Sequence, residues 1–316
     1  MDYMKVTLRR SILAVPGSSE KMLEKSRTIA VDEVFLDLED SVSPELKVQA
    51  RELVANILKT RKHVAPLLSV RVNEQVTEVG RADVDYLLSH TGGTFDSIIV
   101  PKIESAEQVR DLDVRLTSLE KMNTLVVGST KLQVQIESAK GLASVFDIAS
   151  SSSRLISLTF GPGDFAASIG MQVLHLGENP IGYPGEDAYH YALMQILVAA
   201  RVNGLLAIDG PYSGIENTSG LIKRAKISSA LGFDGKWAIH PSQIGPINDA
   251  FTPSQETFQE AKRLIDSLEM SELSDKKGAL VFEGKMIDKA SRKMAEMIVA
   301  RGITAGLISK TNNRTN

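Results

Sequence analysis

The 316-residue chain contains no cysteine. That removes disulfides, thiolate zinc sites, iron–sulfur clusters and every mechanism built on a Cys nucleophile, so any metal is held by oxygen or imidazole. Net charge is equally scarce: 36 Lys and Arg face 39 Asp and Glu, leaving a formal charge of −3. With 24% of residues charged and both signs present, overall charge does not hold the chain to nucleic acid or to an anionic membrane. No run approaches the ~18 consecutive apolar residues of a membrane span. The opening MDYMKVTLRRSILAVPG lacks the apolar core and small-residue cleavage site of a secretory signal, which makes the cytoplasm the expected location. Histidines are few and scattered (His63, His90, His175, His190, His240), without HxH or HExxH spacing, and this argues against zinc.

What the chain does have is alternation. Short β-branched runs at 12–15, 33–39, 67–73, 97–102, 132–137, 156–161, 206–211 and 237–240 are separated by longer segments of helical period, the pattern of parallel βα units. Ser18 or Ser19 is placed to cap the first helix, Pro44 suits a first helical turn, and Gly204 and Gly232 stand where helices close. Eight units in about 230 residues fit a (β/α)8 TIM barrel. A doubly wound open sheet is the alternative, but no GxGxxG follows the first strand to support it. The expected layout is a barrel over 1–250 and a C-terminal helical extension over 251–316, too small to fold alone. The final SKTNNRTN reads as a frayed terminus.

Polar residues sit at the C-terminal ends of otherwise apolar strands: Glu39, Asp40, Arg71, Asn73, Lys102, Glu137, Asp164, Asp209 and His240. In a barrel these ends converge on the face that carries active sites. Singly, each has a structural explanation as a cap or an ion-pair partner; as a set they point to catalysis. Glu137 and Asp164, on adjacent strands, suit Mg²⁺ held through one oxygen each, with Mn²⁺ as substitute and the remaining positions left to water and substrate. The glycines of Gly161-Pro162-Gly163-Asp164 let backbone N–H groups approach an anion. A tight turn before a helix is the competing reading of that segment.

These motifs carry a resemblance. RRSILAVPGSSEKMLEKS, VDEVFLDLEDSVSPELKVQAR, SVRVN, IIVPKIES, QIESAKG, SLTFGPGDFAASIGMQ, AIDGPY, GFDGKWAIHPSQI and FEGKMIDKASRKMAEMIV resemble, in number, order and length, the malyl-CoA lyase and citrate lyase β-subunit family of CoA-ester lyases. FGPGDFAASIGMQ and GKWAIHPSQ are closer to malyl-CoA lyases. The resemblance implies Glu137 and Asp164 as Mg²⁺ ligands, Arg71 as the active-site arginine, and Lys25 as a contact to the CoA phosphates. It implies Glu39 and Asp40 around the metal's water shell, and Asp288 delivered to the active site of a neighbouring subunit in a homotrimer or homohexamer. Three positions depart from the family: Gly163, where many relatives have Glu or Ala beside the keto acid; Ser19, where malyl-CoA lyases can carry an arginine; and the loop 174–191, shorter than expected.

The implied reaction is reversible cleavage of a β-hydroxyacyl-CoA, malyl-CoA or β-methylmalyl-CoA, into acetyl- or propionyl-CoA and the α-keto acid glyoxylate. Arg71 would face the thioester oxygen as the enolate develops, the Gly163–Asp164 turn would bind the substrate carboxylate, and Asp288 would exchange a proton with the enolate carbon. Without the resemblance, Asp288 reads as the N-cap of the last helix. Alternatives are a citramalyl- or citryl-CoA lyase, a malyl-CoA thioesterase, aldol cleavage of a hydroxy-keto acid lacking CoA, or an inactive barrel that binds CoA esters.

Overall fold

Each of the eight apolar runs forms a parallel strand: β1 Ser11–Pro16, β2 Glu33–Asp37, β3 Leu67–Arg71, β4 Ser97–Val100, β5 Lys131–Ile136, β6 Leu155–Phe160, β7 Leu206–Asp209 and β8 Gly235–Ala238. Consecutive strands pair in parallel, with a register shift between Leu132 and Gln133 in the β5–β6 pair, and β8 pairs back onto β1, closing the barrel. These are coordinates of a computed structural model, which describes residues 8–274 and 279–308. The fragment SKTNNRTN lies outside them.

Strand parity builds the interior. Ile12, Phe35, Ile99, Ile208 and Trp237 pack as one buried cluster, while the neighbouring positions of the same strands face the helices. The interior is not wholly apolar. Glu33 is fully buried and accepts from Ser69 Oγ (2.5 Å) and Gln133 Nε2 (2.6 Å), with Arg9 Nη1 at 3.1 Å; a buried carboxylate needs such partners.

Local signals act as their chemistry dictates. Ser19 caps helix Glu20–Ser26, accepting from Met22 N. Pro44 opens a 3₁₀ turn that feeds helix Lys47–Thr60. Gly232 closes helix Thr218–Leu231 with φ +113°, a conformation that glycine adopts without a Cβ penalty. The segment after β5, continuous in its helical period, divides at Ser144 into helices Ala139–Ala143 and Val145–Ala149. A short helix, Pro162–Ser168, stands directly after β6, and an irregular segment then runs to helix His190–Val202.

The described residues divide into two compact units, 9–248 and a second formed by residue 8 with 249–274 and 279–308. In the second, helix Gln255–Ser274 packs against helix Lys289–Thr304 through Phe258, Ala261, Ile265, Ala295 and Val299. Spacings of three and four along the first helix give it one apolar stripe. An antiparallel hairpin of β9 (Ala279–Phe282) and β10 (Lys285–Asp288) precedes the last helix. Among the described residues no helix is long and apolar enough to cross a membrane.

Candidate active site

Asp37 and Arg71 end β2 and β3 at the same register, so their side chains leave neighbouring strands side by side. Arg71 Nε and Nη2 donate to Asp37 Oδ1 and Oδ2 at 2.7 and 2.8 Å, a bidentate fork that fixes the guanidinium plane. The same cation lies 5.8 Å from the centroid of Phe35 and 5.5 Å from that of Trp237. Burial works to raise the Asp37 carboxyl, but the guanidinium, Ser41 and the Glu39 N–H outweigh it and hold the group below the usual carboxylate range. The remaining nitrogen, Nη1, stands 2.9 Å from Glu39 Oε2 and 3.1 Å from Asp40 Oδ2.

Glu137 follows β5. Its Oε1 accepts from the Lys102 N–H and its Oε2 from Gln135 Nε2, both at 2.6 Å. The first bond depends on strain: Lys102 has φ +52°, a region non-glycine residues rarely enter. Its ammonium meanwhile reaches Glu39 Oε1 (3.1 Å) and Glu74 Oε1 (2.9 Å). Burial first, then the charges of Glu39 and Asp164, push Glu137 up to about 8 against the Lys102 N–H and Arg71. Burial also pushes Glu39 up to about 7; Arg71 and Lys102 oppose this and Asp40 adds to it. Asp164 is exposed in the first turn of the helix after β6.

Asp40, Arg71, Glu137, Gly163 and Asp164 all line a single cavity of about 680 Å³ at the C-terminal ends of the strands. Leu174, His175 and Leu176, from the irregular segment after β6, line it too. Gly161 is required by proximity: a Cβ there would stand 2.4 Å from Glu137 Cβ and 2.6 Å from its Oε2.

Among the described residues no three His, Cys, Asp or Glu side chains cluster as a metal site. Two carboxylates, one just after β5 and the other in the helix after β6 rather than on the strand itself, match a hard cation that keeps much of its water. Glu137, buried and short of compensating charge, fits that role, with Asp164 as its partner across the β5–β6 pair.

Other strand-end residues turn elsewhere. Asp209 pairs with the buried Lys236 at 2.7 Å, Asn73 bonds Asp83 Oδ2 and the Leu38 carbonyl, and His240 caps a 3₁₀ turn. Lys25 is exposed in the last turn of helix Glu20–Ser26 and does not line the cavity. Asp288 caps helix Lys289–Thr304, accepting from Ala290 N and Ser291 N at 2.9 and 3.1 Å. The N–H groups of Ser291 and Ala290 hold its exposed carboxyl below the usual range. Asp37 and Gln135 are functional neighbours that strand-end inspection passes over. Parity carries the signal for both: Asp37 lies two residues after inward-facing Phe35, and Gln135 two before Glu137.

Comparison with known proteins places this geometry. The chain is 38% identical over 295 residues, 90% of its length and 91% of the relative's, to the L-malyl-CoA/β-methylmalyl-CoA lyase of Cereibacter sphaeroides. It is 32% identical, covering 92% of the chain and 94% of the relative, to a (3S)-malyl-CoA thioesterase of the same species. Among solved structures, CitE from Mycobacterium tuberculosis in complex with magnesium, acetoacetate and coenzyme A superposes with a TM-score of 0.73 at 27% identity, covering 93% of this chain and 98% of that one. Residues 10–241, essentially the barrel with its strand-end carboxylates, match the HpcH/HpaI aldolase/citrate lyase family, and the chain belongs to that family.

Proposed function

We propose that this protein is a Mg²⁺-dependent carbon–carbon lyase that reversibly cleaves a β-hydroxyacyl-CoA, malyl-CoA or β-methylmalyl-CoA, into acetyl- or propionyl-CoA and glyoxylate. The observation that carries this reading is the opening of Glu137, Asp164 and Arg71 onto one cavity. Glu137 and Asp164 would hold the metal, which when bound supplies positive charge to the hydroxyl and carboxylate of the substrate's acid end. The N–H groups of the Gly163–Asp164 turn would bind that carboxylate.

As the carbon–carbon bond breaks, its electron pair moves toward the thioester oxygen. Arg71 is the cation available to it, preoriented by Asp37 and permanently charged. Asp37 takes the Nε hydrogen and one Nη2 hydrogen, and Glu39 and Asp40 stand beside Nη1, so the thioester oxygen competes with these carboxylates for the guanidinium. Asp40, which lines the cavity, and Glu39, buried beside Arg71 and Lys102, would surround the metal's water, and Lys25 would meet the CoA phosphates.

The proposal extends to a cytoplasmic homotrimer or homohexamer in which Asp288 of one subunit protonates the enolate carbon at its neighbour's site. Sedimentation velocity tests the assembly. The similarity to a thioesterase over 92% of the chain supports hydrolysis as a second reading.

One assay separates the two. Incubated with (S)-malyl-CoA and Mg²⁺, a lyase forms glyoxylate and retains the thioester, whereas a thioesterase releases the CoA thiol. A thiol reagent reports the second without background, because the protein has no cysteine. Free thiol without glyoxylate would replace the lyase reading with hydrolysis.

A further inference from the structure

Gly163 has a steric reason to be glycine. A Cβ at this position would lie 2.3 Å from Leu176 Cδ2, and its backbone lies outside the left-handed region that favours glycine. A side chain there would have to displace the Leu176 methyl, while the backbone conformation itself imposes no bar.

Leu176 is itself held in place. Its carbonyl accepts from Ser213 N at 3.1 Å. The next residue, Gly177, adopts φ +78°, and a Cβ on it would meet the Pro211 carbonyl at 3.0 Å. Glu178 Oε1 accepts from Tyr212 Oη at 3.3 Å, and Asn217 Nδ2 donates to that same hydroxyl at 2.9 Å. The irregular segment is therefore tied at 176–178 to the loop after β7. The backbone at Leu176 is fixed in this way, and its side chain, 38% exposed, lines the cavity that Gly163, Asp164 and Glu137 also line.

We infer that Leu176, seated over Gly163, is the specificity-determining residue that restricts the α-keto acid to one bearing only hydrogen on its carbonyl carbon. The inference rests on the lyase reading above. An acid held between Asp164 and Glu137 shares the cavity with the Leu176 side chain, and a methyl group on its carbonyl carbon directed toward Gly163 would have to displace the leucine.

The test runs in the condensing direction, with acetyl-CoA and either glyoxylate or pyruvate, reading kcat/KM for each. Glyoxylate is the more reactive carbonyl, so the diagnostic quantity is the change in the ratio on substitution. Leu176→Ala should lower the glyoxylate-to-pyruvate ratio by about tenfold or more, the scale of one methyl group in a pocket, by raising the pyruvate value. Gly163→Ala should depress both acids, and Gly163→Ala with Leu176→Ala should recover glyoxylate turnover. Ile181→Ala, at a residue 103% exposed and outside the cavity lining, should leave the ratio unchanged.

A ratio unmoved in Leu176→Ala, and in Leu176→Val if the alanine variant fails to fold, would overturn the inference and leave the lyase reading intact. So would a wild-type preference for pyruvate. Wild-type protein that neither condenses either acid nor cleaves malyl-CoA would instead overturn the lyase reading, and this inference with it.

Discussion

Replacing Asp37 with asparagine tests the frame that holds Arg71. Asp37 is 1% exposed and Arg71 6%, and their two charged hydrogen bonds measure 2.7 and 2.8 Å. Removing one partner of a buried pair ordinarily costs about 3–5 kcal/mol. Two features place Asp37→Asn at the low end. Glu39 and Asp40 stay beside Nη1, so the guanidinium keeps compensating charge, and asparagine preserves the volume. Its amide nitrogen nevertheless faces a donor wherever it is placed, since one Asp37 oxygen accepts from Arg71 Nε and the Glu39 N–H, the other from Arg71 Nη2 and Ser41. A loss of about 3 kcal/mol in a domain of this size lowers the melting temperature by about 6–12 °C. Differential scanning calorimetry measures that shift, and circular dichroism at 20 °C confirms that the variant is still folded. Turnover should fall with it, because an unanchored Arg71 no longer meets the developing charge in a fixed orientation. In a cycle with Arg71→Met, the two substitutions should couple by about 2–3 kcal/mol. A melting shift under 2 °C, or full additivity with Arg71→Met, would refute the claim that this pair organises the site.

The other predictions concern the metal, pH and the tail. Gly161→Ala should weaken Mn²⁺ binding by about tenfold or more, followed by electron paramagnetic resonance, because its Cβ must displace Glu137; unchanged affinity would mean that Glu137 is not a ligand. His63 is pushed down to about 4 by burial and by Arg27, with Nε2 3.1 Å from Ser26 Oγ. Its folded pKa is depressed, so the neutral ring's contribution is complete above the unfolded value near 6.5. It is lost as pH falls toward 4, amounting to about 2 kcal/mol allowing for partial exposure, and an imidazole NMR titration with a midpoint above 6 would contradict it. Asp288→Asn separates two roles, because asparagine caps a helix as well as aspartate does. Thermal stability should hold while turnover drops about 100-fold or more and Mn²⁺ affinity stays constant; unchanged turnover would leave Asp288 only its cap.

Period and position made the barrel readable before any coordinates. Eight apolar runs of strand length, with Ser19 and Pro44 starting helical segments and Gly232 ending one as their backbone chemistry requires, specify the order of elements. Register is a different kind of information. That Asp37 stands opposite Arg71 follows from how β2 and β3 slide into alignment, and no one-dimensional pattern states that offset. The charged strand ends therefore could be listed but not sorted: Asp209, as apt in sequence as Asp164, spends its charge on Lys236, while Asp37, hidden inside an apolar strand, fixes the arginine.

The loop 174–191 stands out in the sequence by its length, but where it places residues 176–178 does not, for a related reason. It has no period to read, and its position is set by contacts from residues about 35 positions later, such as Ser213 to the Leu176 carbonyl. A second trace in the sequence is Gly163, a small residue inside a site motif. A small residue in a site motif records a neighbour that the motif does not contain. Here that neighbour is Leu176, whose Cδ2 would lie 2.3 Å from a Cβ at 163, so the motif and the loop are to be read together.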